Sequence, residues 1–240
     1  AVIVAEADKV TIYDGDDATL PMWRVADFTG FTATSIMALG GVLSVATTTG
    51  LVVLNYVSDD ISVALTYSTA TTPAIVNNKV NDVAMTVLPD APIDPATGLQ
   101  VPTIAVATDG GVSVIKDDGT VVDSADTGAH NFVEFNQSYE IVAQSDTVAD
   151  DIHVYANYDA DGFGTTRGFI WAGIPSSLGY ANNKVALSKN SIHSATDLVQ
   201  IGLQTLFEEP QTPERGMTNF IASTYNTGWM NGDIKGAFLS

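Results

Sequence analysis

Residues 101–123 read VPTIAVATDGGVSVIKDDGTVVD, and their pattern decides the fold. Ile104 and Val106 fall on one parity, Thr103 and Ala105 on the other, as on a strand whose side chains alternate between faces. Asp109-Gly110-Gly111 interrupts the run, Val112 and Val114 resume it, and Asp117-Asp118-Gly119 interrupts it again before Val121. Asp and Gly supply the backbone conformations that tight turns need. The stretch therefore predicts a three-stranded antiparallel meander with strands of about five residues.

The pattern recurs. Residues 1–20 repeat it without a gap, with Val2, Val4, Val10 and Ile12 in the places of Ile104, Val106, Val112 and Val114. Residues 34–57 carry it again, with Leu43, Val45, Leu51 and Val53 in those places and Gly50 in that of Gly111. Here the run Ser35–Leu39 ahead of Gly40-Gly41 and the run ISVALTY at 61–67 bring the number of strands to four, the make-up of one propeller blade. The copies start at Val2, Leu43 and Ile104, so the first interval is 41 residues and the second 61. The shorter one is close to the period of a four-stranded blade. The excess lies in residues 68–100, where Pro73, Pro89, Pro92, Pro95 and Thr97-Gly98 mark a long loop around one strand at 82–88.

The remaining segments follow the same scheme. PMWRVADF at 21–28 reads as an outer strand, NFVEF at 131–135 as the outer strand of the meander's blade, and YEIVA at 139–143 as the opening of the next. IHVYANY at 152–158 and RGFIWAG at 167–173 supply further strands. Residues 175–215 are irregular. There Asn182-Asn183-Lys184-Val185 repeats Asn77-Asn78-Lys79-Val80, and Ala195–Glu209 admits either a short helix or an irregular strand pair, ended by Pro210 and Pro213. Asn231-Gly232 is a hairpin signal before a last strand, DIKGAFL. The first strand resembles the second strand of a blade and the last strands its beginning, so pairing of the two would close a ring and protect both edges. The expectation is an all-β protein: a single domain over 1–240, a β-propeller of about five four-stranded blades.

Charge and composition exclude several functions. The chain holds 28 Asp plus Glu against 9 Lys plus Arg, a net charge of -19. Nucleic acid and anionic membrane surfaces call for clustered basic residues, whereas Arg24, Arg167 and Arg215 are far apart. No cysteine is present, which removes disulfide, thiolate-metal and cysteine-nucleophile chemistry. No apolar run is long enough to span a membrane as a helix, and Ala-Val-Ile-Val-Ala at the start lacks the basic residues of a secretory signal.

Candidate chemistry is sparse. His130, His153 and His193 show no metal-ligand spacing. His153 reads as a structural histidine on a strand, and His130 and His193 as turn residues. The acidic turns DGDD at 14–17, DDG at 117–119 and DADG at 159–162 do not complete a calcium loop. Asp159, Asp161 and the Phe163 carbonyl come nearest to one; ordinary Asp-Gly turns are the simpler reading. Histidines so scattered do not predict a zinc site, calcium at the 159–163 turn is the nearest alternative, and no cofactor is expected. The six glutamates sit in no catalytic signature, and Gly110-Gly111 cradles no phosphate because no helix follows. No enzyme is expected. Trp23, Trp171 and Trp229, with Tyr225 among the tyrosines, are the candidate binding residues, able to stack on sugar rings or fill a protein interface. Otherwise the tryptophans fill the seams between blades.

Two segments carry a resemblance. Residues 224–240, TYNTGWMNGDIKGAFLS, are similar to a segment that recurs in virion-associated proteins of marine tailed bacteriophages. The best matched residues are Tyr225, Asn226, Thr227, Gly228, Trp229, Met230, Gly232, Asp233, Ile234, Lys235, Gly236 and Ala237. TIAVATDGGVSVIKDDGTVV at 103–122 resembles repeats upstream of that segment in the same proteins. The likeness covers about half the chain, in pieces. It implies a tail or tail-fibre component, located in the virion and extracellular after release. Its partners would be other virion proteins, a second copy or a downstream module, or a host surface glycan. In that group the segment often precedes carbohydrate-binding modules, and such a module would lie beyond Ser240. The expected function is a non-enzymatic structural or attachment module. The alternatives are a glycan-binding or glycan-cleaving propeller head and a decoration or scaffold domain without ligand.

Overall fold

The structure is a computed structural model. It describes residues 1–6, 8–27, 30, 32–57, 65–145 and 152–164, and the backbone of strands at 167–169, 184–188, 191–195, 203–207 and 217–221. The architecture is all-β and built of five antiparallel meanders in chain order. The first sheet joins β1 (Val2–Ala5), β2 (Lys9–Tyr13) and β3 (Met22–Asp27). The second joins β4 (Ala33–Leu39), β5 (Val42–Thr47), β6 (Gly50–Asn55) and β7 (Leu65–Tyr67). The third joins β8 (Val80–Thr86), β9 (Thr103–Thr108), β10 (Gly111–Ile115) and β11 (Val121–Asp123). The fourth joins β12 (His130–Phe135), β13 (Ile141–Ser145), β14 (Ile152–Tyr155) and β15 (Arg167–Phe169). The fifth joins β16 (Lys184–Ser188), β17 (Ser191–Ala195), β18 (Leu203–Phe207) and β19 (Met217–Ile221).

Three details differ from the sequence reading. The first sheet has three strands rather than four among the described residues, and the C-terminal residues 222–240 expected to complete it lie outside them. NFVEF belongs to β12, the first strand of the fourth sheet, and is not the outer strand of the third. The reason is the tight turn that follows it. Asn136 Oδ1 accepts hydrogen bonds from the Ser138 and Glu140 backbone N–H groups at 2.9 and 3.0 Å. Tyr139 takes φ +62° there, and the turn folds β12 directly onto β13. Within Ala195–Glu209 the chain forms the strand β18, not a helix, because pairing with β17 and β19 satisfies its backbone on both sides. Asn77–Val80 and Asn182–Val185 both lead into the first strand of a sheet, β8 and β16.

The core lies between the sheets, so the middle strands are buried on both faces. Every residue of β9 and β10 is buried. Ile104 and Val106 pack with Leu51, Tyr67 and Met85 between the second and third sheets. Ala105 and Ala107 face the other way, packing with Ile141, Tyr155 and Phe163 of the fourth. Small side chains on one sheet thus meet large ones on the next, the complementarity a close-packed interior requires. Val10, Ile12, Leu43, Val45, Val52 and Leu54 fill the corresponding space between the first two sheets.

A repeated irregularity joins the first strands of neighbouring sheets. The register slips by one residue at Thr34 in β4, at Asn81 in β8 and at Asn131 in β12, each a bulge that re-aims a side chain. Thr34 Oγ1 donates to the Val80 carbonyl at 2.7 Å, and Asn81 Nδ2 donates to the His130 carbonyl at 2.9 Å. The bulged residue of one sheet therefore bonds to the residue before the bulge of the next. Asp82 reinforces the link in both directions. Its carboxylate accepts from the Ser35 hydroxyl of β4 at 2.7 Å and from the Val133 backbone N–H of β12 at 3.1 Å.

Two hairpins share one chemistry at the rim above these bulges. Thr47 Oγ1 donates to the Gly50 carbonyl at 2.7 Å, and Thr108 Oγ1 to the Gly111 carbonyl at 2.8 Å. Gly50 and Gly111 have φ of +148° and +129°. A Cβ on Gly50 would strike the Tyr67 carbonyl, and one on Gly111 the Asp126 carbonyl. Both positions are closed to any other residue by backbone conformation and contact together.

Asp82→Ala removes the acceptor of two inter-sheet hydrogen bonds and is expected to lower stability by roughly 1–3 kcal/mol in urea denaturation; an unchanged midpoint would refute the clamp. Gly111→Ala is expected to cost at least about 1 kcal/mol from strain alone, while Gly119→Ala, at a φ of +83° but with open space around it, should cost less.

Candidate functional site

Among the described residues, one group of potential metal-ligating side chains converges: Asp126, His130 and His153. Asp126 lies in the connection between β11 and β12, His130 opens β12, and His153 lies on β14 with Tyr155 two positions on, on the same face of the strand. The connection is fixed from the third sheet. Ser124 Oγ accepts from the Val112 backbone N–H at 3.0 Å and donates to the Asp126 carbonyl at 2.9 Å. Gly128 N–H donates to Asp126 Oδ1 at 2.9 Å. The hairpin glycine Gly111 leaves the room in which the Asp126 backbone sits.

His130 is fully buried, contrary to its expected place in a surface turn. Its Nδ1 lies 2.9 Å from the Gly128 carbonyl. That oxygen can only accept, so Nδ1 carries the proton and Nε2 presents a lone pair. Nε2 faces the Tyr155 hydroxyl at 3.3 Å and Asp126 Oδ2 at 3.7 Å. His153 Nδ1 lies 3.1 Å from the same carboxylate oxygen and 3.2 Å from the Tyr155 hydroxyl. The two imidazoles meet edge to face with centroids 5.6 Å apart. Burial pushes the His130 imidazole below its ordinary value, overcoming the Gly128 carbonyl and the Asp126 charge, which act the other way.

The sequence reading missed this group because its members come from two segments, 126–130 and 153, that nothing in the sequence pairs. The available signals are the four-residue spacing of Asp126 and His130 around Gly128 and the alternate placing of His153 and Tyr155.

The residues singled out from sequence fall elsewhere. Asp161 Oδ1 accepts from the Asp123 backbone N–H at 3.0 Å, the Asp159 carbonyl accepts from Lys116 Nζ, and the Phe163 carbonyl accepts from the Ala125 N–H at 2.9 Å. The 159–163 turn thus fastens the fourth sheet to the third, with Asp161 Oδ1 and the Asp159 and Phe163 carbonyls engaged by protein donors. Asp17 and Asp118 each accept from the backbone N–H and the hydroxyl of the threonine two residues on, as ordinary turns do. Trp23 stands on β3, 56% exposed, next to Met22 at 63%, and joins none of the apolar clusters between sheets among the described residues. Trp171, Tyr225 and Trp229 lie outside the described residues.

A second recess lies at the opposite rim. It is a groove of about 600 Å³ between the second and third sheets, floored by Tyr67, Ile104 and Ile115 and edged by Asp94, Asp117 and Asp118. Part of its wall is the long 87–102 connection between β8 and β9.

Because His130 is held neutral by burial, its contribution to stability is complete above its ordinary value of 6.5 and is lost as the pH falls below it. With chelator present, the urea midpoint is expected to decline between pH 7.5 and pH 5, and the His130 ring to titrate below 6.5 by NMR. A His130 ring that titrates at or above that value would contradict the assignment.

No protein-family model matches the chain, and no curated sequence matches it. Solved structures match by fold. Hsv2 of Kluyveromyces lactis aligns at 13% identity over 91% of this chain and 69% of that one, with a TM-score of 0.55. The WD40 repeats of RRP9 align at 7% identity over 89% of this chain and 59% of that one, at 0.56. A Bacteroides caccae protein of unknown function aligns at 10% identity over 88% and 69%, at 0.50. Identities this low speak to fold alone. WD40 repeats are four-stranded propeller blades, and the sheets of this chain resemble such blades.

Proposed function

We propose that this chain is a non-enzymatic structural or attachment module of a bacteriophage virion, carried on the tail or a tail fibre and working through contacts with other virion proteins or the host surface. In this reading the five sheets are blades of one ring, with residues 232–239 pairing beside β1. Among the described residues β1 pairs with β2 alone, and its other backbone edge supports an added strand there. The phage assignment rests on the resemblance of residues 103–122 and 224–240 to virion-associated proteins.

The single observation that carries a contact role is the apolar surface of the first sheet. Leu20, Met22 and Trp23 stand exposed side by side in sequence, and a shallow recess of about 390 Å³ lies against Pro21, Met22 and Trp23. Tryptophan and methionine are enriched at protein interfaces, and the rest of the acidic surface favours solubility over non-specific association.

The groove between the second and third sheets favours the second reading, a glycan-binding head. Its aromatic and aliphatic floor with a carboxylate edge matches the apolar face and hydroxyls of a sugar.

Antiserum against the chain is expected to label the tail of phage particles by immunogold electron microscopy; unlabelled particles would end the virion reading. Binding to purified tail proteins or host cells is expected to fall at least about tenfold in Trp23→Ser. If Tyr67→Ala or Asp117→Asn abolishes glycan-array binding while Trp23→Ser leaves it intact, the groove is the working surface instead.

A further inference from the structure

We propose that Asp126, His130 and His153 form a mononuclear zinc-type metal site, with the Tyr155 hydroxyl at the fourth position. The geometry comes from donors already in place. Metal-binding imidazoles characteristically donate their second N–H to a backbone carbonyl, which orients the ring and frees the other nitrogen. His130 does this through Nδ1 and Gly128, and its Nε2 lone pair points into the cluster.

Four of the six separations among the donors lie within reach of those in a tetrahedral site. Ligands about 2.0–2.1 Å from a tetrahedral ion lie roughly 3.3 Å from one another. The four pairs here, each between one imidazole nitrogen and one oxygen, are separated by 3.1, 3.2, 3.3 and 3.7 Å. An ion of zinc's size needs shifts of a few tenths of an ångström at the longest pair. His153 must carry its proton on Nε2 so that Nδ1 can ligate, and its side chain, 14% exposed, allows that.

Donor chemistry selects the metal class. Two imidazoles and one carboxylate suit zinc and its first-row neighbours, whereas calcium and magnesium prefer oxygen ligands alone. Asp126, 26% exposed, gives the ion a route from solvent. Binding would cross-link the β11–β12 connection to β14. It would replace hydrogen bonds by metal bonds at the contact between the third and fourth sheets, where Tyr155 packs on Phe163 with centroids 5.3 Å apart.

The test uses the full chain, stripped of metal by chelator and titrated with Zn²⁺, with Co²⁺ as the spectroscopic probe. One equivalent is expected to bind, to raise the melting temperature, and to give Co²⁺ the intense visible absorption of tetrahedral coordination. His153→Ala and Asp126→Asn should each weaken binding at least about tenfold, whereas Asp161→Asn should not change it. His130→Ala empties a fully buried position and is not needed for the conclusion, since His153 and Asp126 are partly exposed. Several weak equivalents without tetrahedral Co²⁺ absorption, or tight binding that survives both His153→Ala and Asp126→Asn, would overturn the site.

Discussion

The first strands of successive sheets do not pair with one another, yet they must be held side by side for the sheets to stack. The bulges at Thr34 and Asn81 meet this constraint. A regular strand directs its side chains to its two faces and its backbone groups along the sheet. Slipping the register by one residue turns a hydroxyl or amide toward the neighbouring strand, where Thr34 and Asn81 reach the Val80 and His130 carbonyls. Asp82 then ties β4 and β12 to β8 at one carboxylate. These few bonds set the spacing within which the apolar faces pack.

That packing explains the division of side-chain sizes. Ala105 and Ala107 face the large Tyr155 and Phe163, while Ile104 and Val106 pack with Tyr67 and Met85. The fourth sheet, with the connection that reaches it from the third, assembles the histidine cluster. Ser124 and Gly111 hold Asp126 from one side, and β12 and β14 present the two imidazoles from the other. A metal held by this group would link binding directly to the way the third and fourth sheets pack.

The abundant aspartates do a different job. Asp17, Asp94 and Asp118 each close a local turn by accepting the N–H two residues on, and hydrogen bonding holds all three carboxyls below their ordinary range. Asp123 is the exception. Burial pushes its carboxyl up, with Asp161 nearby adding to the effect and the Ser113 hydroxyl opposing it. The net charge of -19 draws cations toward the chain.

The sequence alone determined the strands, the turns and the repeat. Alternation has a period of two and turn residues act on their own backbone, so both are local and readable without neighbours. Residues 101–123 became β9, β10 and β11, and residues 34–55 became β4, β5 and β6, as their pattern predicts. The tertiary structure decided which sheet each strand joins. NFVEF alternates equally well in either sheet, and only the Asn136 turn commits it to the fourth. It also decided that His130 is buried and that it meets His153 and Asp126. Those contacts join residues up to 27 positions apart through the pairing of β12, β13 and β14 and the connection that enters β12, a long-range constraint that leaves no period in the sequence.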